Sequence, residues 1–168
     1  RSNILLAIAT NLDKNRDMIK QVNQKDIESG KENNLSKAML DRLLLNDSRV
    51  DGMIQGIKEV AQMEDKIGNI LNMVKRPNGL LVGQMYVPLG TIAIIYESRP
   101  NVTVDAAALC IKSGNTILLR GGSEAINSNI YLTELMQDAA YKAGFPEGGI
   151  EIIQNTSHDL VNELVQQR

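Results

Sequence analysis

Apolar residues recur at helical spacing through roughly the first seventy positions. Ile4, Leu5, Ile8 and Leu12 share one face of a helix that Ser2 can cap. The pattern predicts a second helix over about 13–29, stopped by Gly30. Ser36 caps a third, which gathers Met39, Leu40, Leu43 and Leu44 on one side. Ser48 precedes a fourth, with Val50, Ile54, Ile57 and Val60 as its stripe. Gly52 and Gly56 each weaken that helix by about 1 kcal/mol relative to Ala, and their spacing predicts a close helix–helix contact.

The period then changes. Residues 70–74 are short and apolar, Arg76-Pro77-Asn78-Gly79 is a strong turn signal, and 80–87 alternates weakly. These make a β-hairpin. An isolated hairpin is marginal in water, so this one is expected to lie against something, such as a partner subunit. From Pro88 onward, strand and helix patterns alternate. Strands are predicted at 91–96, 116–119 and 150–153, the first continuously apolar and so expected to be buried on both faces. Helices are predicted at 102–112, ending at Gly114, and at 123–143, ending at Gly144. Thr156, with Asp159 three residues on, resembles a capping pair opening a last helix that still runs at Arg168. Such alternation gives parallel strands joined by right-handed crossovers, an open α/β sheet. Three strands make a small sheet, so the chain reads as part of a larger protein.

Composition narrows the function classes. Of 168 residues, 43% are hydrophobic and 23% charged, which excludes a chain disordered throughout. Eighteen basic and 20 acidic side chains leave a formal charge of −2, with no cluster suited to nucleic acid. No apolar run approaches the roughly 20 residues of a membrane span. The one cysteine, Cys110, excludes an internal disulfide and fits a cytoplasmic protein. It lies mid-helix in an apolar stretch, where a buried inert thiol is expected. The one histidine, His158, and the absence of paired Cys or His spacing argue against a metal site.

In open α/β sheets, ligands bind beyond the carboxyl ends of the strands. Three segments fall there. Glu97-Ser98-Arg99-Pro100-Asn101 packs an acid, a hydroxyl, a guanidinium and an amide before a helix N-terminus, which attracts phosphate or carboxylate. The bland alternative is that Asn101 caps the helix and Arg99 pairs with Glu97. Arg120-Gly121-Gly122-Ser123-Glu124 follows a buried strand; its glycines let a ligand approach the backbone, and Arg120 offers a fork suited to phosphate. It matches neither GxGxxG nor a P-loop, and a tight turn with Ser123 as cap explains it equally. The third segment, Gln154 to His158, reads as an ordinary helix start.

The run from Val87 to Ala125, above all Tyr96-Glu-Ser-Arg-Pro-Asn101 and Leu119-Arg-Gly-Gly-Ser-Glu-Ala125, closely resembles the gamma-glutamyl phosphate reductase family of the aldehyde dehydrogenase superfamily. Residues 38–45, Arg76-Pro-Asn-Gly79 and Ala143-Gly-Phe-Pro146 look similar too, so the likeness spans nearly the whole chain. It implies an NADP-dependent oxidoreductase. Such an enzyme reduces gamma-glutamyl phosphate to glutamate 5-semialdehyde and phosphate, the second step of proline biosynthesis, through a cysteine thioester. No segment here matches the nucleophile motif, so the chain alone is expected to be inactive. The resemblance divides it into an N-terminal helical segment (1–69), the hairpin (70–87) and part of an NADP-binding α/β domain (88–168), without a catalytic domain. It assigns Ser98, Arg120, Gly121, Gly122, Ser123, Glu124 and Thr156 to cofactor binding. Arg99 is assigned to substrate and Asn101 to oxyanion donation. Where the superfamily has Lys and then Glu for the ribose, this chain has Arg120 and Glu124 with one extra residue between, and an Arg there suits a 2′-phosphate. A homo-oligomer is implied. The alternative is a non-catalytic nucleotide-binding or assembly module of the same fold.

Overall fold

A computed structural model describes residues 1–155 and Gln166. Thr156 and His158, and the helix expected there, lie outside the described residues. Four helices come first: α1 (Ser2–Lys14), α2 (Arg16–Glu32), α3 (Lys37–Leu43) and α4 (Asp47–Gln62). An antiparallel hairpin of β1 (Ile70–Lys75) and β2 (Leu81–Met85) follows. Then come β3 (Thr91–Ile95), α5 (Asn101–Lys112), β4 (Thr116–Arg120), a 3₁₀ turn at Ser123–Ala125, α6 (Ile126–Lys142) and β5 (Ile150–Ile152). The last three strands form a parallel sheet in the order β3-β4-β5, with Ile95 beside Arg120 and Leu119 beside Ile152.

The helix periods hold, but several boundaries move, each for a long-range reason. Ser2 is the first residue of α1 rather than its cap. Its hydroxyl donates instead to Ala61 O at 2.8 Å, at the end of α4, where the buried Lys112 Nζ also donates to Ala61 O and to Ser2 Oγ, both at 2.9 Å. Gly30 does not stop α2. It is a close-packing position: a Cβ there would sit 3.0 Å from methyls of both Leu35 and Leu40. The chain reverses four residues later at Asn34, which takes the left-handed conformation (φ 57°), and Leu35 N–H bonds back to Gly30 O at 2.9 Å. Ser36 caps α3 as expected, accepting from Met39 N–H. In α4 the cap is Asn46, accepting from Arg49 N–H at 2.9 Å, not Ser48. Gly52 faces open space, so the expected close contact is not there; Gly56 approaches the side chain of Asp105 on α5.

Helices α5 and α6 cover the sheet face that carries Ile117, Leu119 and Ile150, and α1, α2 and α4 lie over α5 and α6. One continuous core results, running from Leu5, Ile8 and Leu12 through Ile57 to Val104, Ile111, Leu132 and Met136. Strand β3 is not buried on both faces. Ile92 and Ile94 pack against the core, while Thr91, Ala93 and Ile95 (43% exposed) look outward from an edge strand. The hairpin stands away from the core with every strand residue exposed, Leu81 at 65%.

Two buried polar side chains tie the helical layer to the sheet layer. Asp26 on α2 accepts from the backbone N–H of Asn127 (3.2 Å) and Ser128 (2.8 Å). It also accepts from Asn127 Nδ2 (2.7 Å) and Ser128 Oγ (2.5 Å). It thereby satisfies first-turn donors of α6 from another helix. Asn23, one turn earlier, donates to Leu43 O (2.8 Å) and Ser128 Oγ (3.0 Å), and accepts from Leu45 N–H (2.7 Å).

Candidate functional site

The parallel order places three loops at one edge. Tyr96 N–H donates to Arg120 O at 3.0 Å and Ile153 N–H to Leu119 O at 2.8 Å, so the chain leaves all three strands side by side. The turn after β4 is tightly built. Gly121 and Gly122 are both buried. A Cβ on Gly121 would collide with the Asn129 amide and approach the Tyr96 ring at 3.2 Å; one on Gly122 would strike the Glu124 carboxylate at 2.6–2.8 Å. The room these glycines leave is thus filled by the protein's own side chains. Glu124 folds back over the strand end, half-buried, with Ser123 exposed beside it. The cap at this turn is Gly122, with no side-chain capping bond from Ser123, and α6 proper starts at Ile126. Arg120 is 8% exposed.

Behind this turn runs a buried polar chain that the sequence reading missed. Tyr96 Oη lies 2.6 Å from Thr103 Oγ1, which donates to Asn129 Oδ1 at 3.0 Å. Thr103 has one hydroxyl proton and gives it to Asn129, so Tyr96 is the donor to Thr103. Burial pushes the Tyr96 phenol up to about 12, so it stays protonated and able to donate. This chain joins β3, α5 and α6 beneath the candidate loops. Asn127-Ser128-Asn129 at the start of a helix was the visible signal, since polar runs inside a helix face need partners.

The loop after β3 divides. Ser98 is buried, whereas Arg99 is exposed. Pro100 occupies the cap of α5, and Asn101 is the first helical residue, with Nδ2 donating to Asp105 Oδ2 at 3.0 Å. Asn101 therefore does not cap the helix. No ion pair joins Arg99 to Glu97 among the described residues. Arg99, Asn101 and Asp105 instead line a cleft of about 490 Å³ with Asp41, Arg42, Arg49 and Met53 of α3 and α4. Burial raises the Asp105 carboxyl, with the Asn101 bond opposing.

Cys110 is 4% exposed, and burial pushes its thiol up, away from the reactive thiolate. Among the described residues no group of three His, Cys, Asp or Glu could hold a metal, and no helix is long and apolar enough to cross a membrane.

Comparison with known proteins adds a family to this geometry. The aldehyde dehydrogenase family model matches residues 1–168. A gamma-glutamyl phosphate reductase of Clostridium novyi is 53% identical over 166 residues, covering 99% of this chain and 40% of that protein. One from Halothermothrix orenii is 53% identical over 164 residues, covering 98% and 39%. The crystal structure of the gamma-glutamyl phosphate reductase of Thermotoga maritima superposes with a TM-score of 0.96 at 41% identity, over 99% of this chain and 40% of that one. The chain thus spans about 40% of the length of the relatives it matches.

The buried position of Cys110 yields a direct expectation. Peptide mapping after iodoacetamide treatment should find it unmodified in the native protein and alkylated in urea, and Cys110→Ala should cost no more than about 1–2 kcal/mol. Rapid native alkylation would show that the thiol is accessible.

Proposed function

Because this chain belongs to the aldehyde dehydrogenase family, we propose that it is the cofactor-side portion of a gamma-glutamyl phosphate reductase, working in the cytoplasm. The reaction is reduction of gamma-glutamyl phosphate with NADPH to glutamate 5-semialdehyde and phosphate. The observation that carries this reading is identity near 53% with two such reductases across almost the whole chain, the carboxyl-edge loops included. The cysteine nucleophile lies outside these 168 residues, since Cys110 is the one cysteine and it is buried.

The donor set at the strand edge fits the adenosine end of a dinucleotide. Gly121 and Gly122 leave the room that Asn129 and Glu124 occupy, and the Glu124 carboxylate so placed can accept from ribose hydroxyls. Ser98, Ser123 and Thr156 complete the proposed set. Arg120 meets the 2′-phosphate that distinguishes NADPH from NADH. Bound there, NADPH supplies the hydride. Asn101 keeps one amide N–H beyond its bond to Asp105, suiting it to stabilise a developing oxyanion, and Arg99 faces the substrate.

A charge-assisted hydrogen bond to phosphate is worth about 1.5–3 kcal/mol. Arg120→Ala in the full-length enzyme should therefore weaken NADPH binding by about tenfold or more and change NADH binding little. Equal loss for both cofactors, or none for either, would make Arg120 a structural residue. Absence of NADPH oxidation by the wild-type enzyme with freshly generated gamma-glutamyl phosphate would remove the proposed activity.

The bare hairpin has a place in the same reading. Its apolar side chains, Ile70, Leu71, Val74, Leu81, Val82 and Met85, are too many to leave in water on a stable protein. They are proposed to be covered in a homo-oligomer. In sedimentation velocity, Leu81→Glu together with Val82→Glu should convert the full-length protein to a smaller species; an unchanged mass would show that the hairpin is covered within its own subunit.

A further inference from the structure

The cleft between α3, α4 and the start of α5 holds three guanidiniums and two carboxylates, and they are not equally engaged. Arg49 is committed: its Nη2 pairs with Asp41 Oδ2 at 3.0 Å, and its Nη1 donates to Leu44 O at 2.8 Å and to the carbonyl of Asp41. Arg42 and Arg99 are exposed and make no ion pair among the described residues, and neither does Asp105. Asp105 is held in place by Asn101 Nδ2, leaving its second oxygen open. Desolvation raises its carboxyl, with the Asn101 bond opposing.

We infer that this cleft binds the α-amino acid head group of the substrate, with Asp105 accepting the ammonium and Arg42 and Arg99 the α-carboxylate. The inference rests on the reductase reading above and specifies what that reading leaves open: how the enzyme selects an amino acid. A zwitterionic head group presents a planar anion and a compact cation a few ångströms apart. Recognition therefore needs a guanidinium fork and a carboxylate facing one space, which this cleft supplies. Its volume, about 490 Å³, lies within the range of small-molecule sites. Asn101, the proposed oxyanion donor, lines the same cleft, so head group and reacting carbonyl are placed along one wall.

The test uses the full-length enzyme in the oxidative direction, with NADP⁺ and phosphate. Glutamate 5-semialdehyde is compared with 5-oxopentanoate, which keeps the carboxylate and lacks the amine. Asp105→Asn should lower kcat/KM for glutamate 5-semialdehyde by about tenfold or more and leave 5-oxopentanoate within about twofold. Arg42→Ala should lower both. NADP⁺ affinity, unchanged in both variants, reports intact folding. Equal effects of Asp105→Asn on the two substrates, or no effect on either, would overturn the inference. Calorimetry with L-glutamate separates the two claims. Glutamate binding that weakens in Asp105→Asn, in a wild-type protein that turns over neither aldehyde, would overturn the reductase reading alone; no glutamate binding together with no turnover would overturn both.

Discussion

A carboxyl group buried at the start of a helix organises this structure. Asp26 belongs to α2, yet its four hydrogen bonds go to Asn127 and Ser128, in the first turn of α6. A helix begins with unpaired N–H groups and a partial positive charge, and an anion is the natural partner for both. Here the protein supplies that anion itself. The consequence reaches the strand edge, because α6 follows directly on the Arg120–Glu124 turn. The N–H groups of Asn127 and Ser128 are therefore taken from within the chain, and α6 starts in one position behind the turn.

The loop after β3 then separates two regions of different chemistry. On one side lies the compact turn of Gly121, Gly122 and Glu124, backed by the Tyr96–Thr103–Asn129 chain. On the other, Arg99 and Asn101 open onto the charged cleft against α3 and α4. The helical layer is therefore more than a cover for the sheet: α2 fixes the start of α6 through Asp26, and α3 and α4 form the outer wall of the cleft.

Much of this was legible from local pattern. Helical periods, the Pro-Asn-Gly turn and the strand–helix alternation depend on residues close in sequence, and among the described residues those elements appear, with several boundaries shifted. Parallel order alone brought the three loops to one edge. The departures come from contacts between residues far apart in the chain. Gly30 reads as a stop until Leu35 and Leu40 are seen packed on it. Ser2 reads as a cap until Ala61 and Lys112 claim its hydroxyl. An apolar run such as β3 cannot reveal that only one of its faces meets the core of this chain. In the site, the turning of Arg99 and Asn101 toward α4, and the filling of the space beside Gly121 by Asn129, depend on tertiary packing with no local signature.

The role of Asp26 is best tested by amide hydrogen exchange on the full-length protein and its Asp26→Ala variant, read beside NADPH affinity. Losing this acceptor strands buried donors at a cost of about 3 kcal/mol. The account predicts that exchange at Asn127 and Ser128 rises by about a hundredfold. Exchange in the hairpin should be unchanged, and NADPH should bind about tenfold more weakly. Unaltered protection at Asn127 and Ser128, with unaltered NADPH affinity, would contradict it.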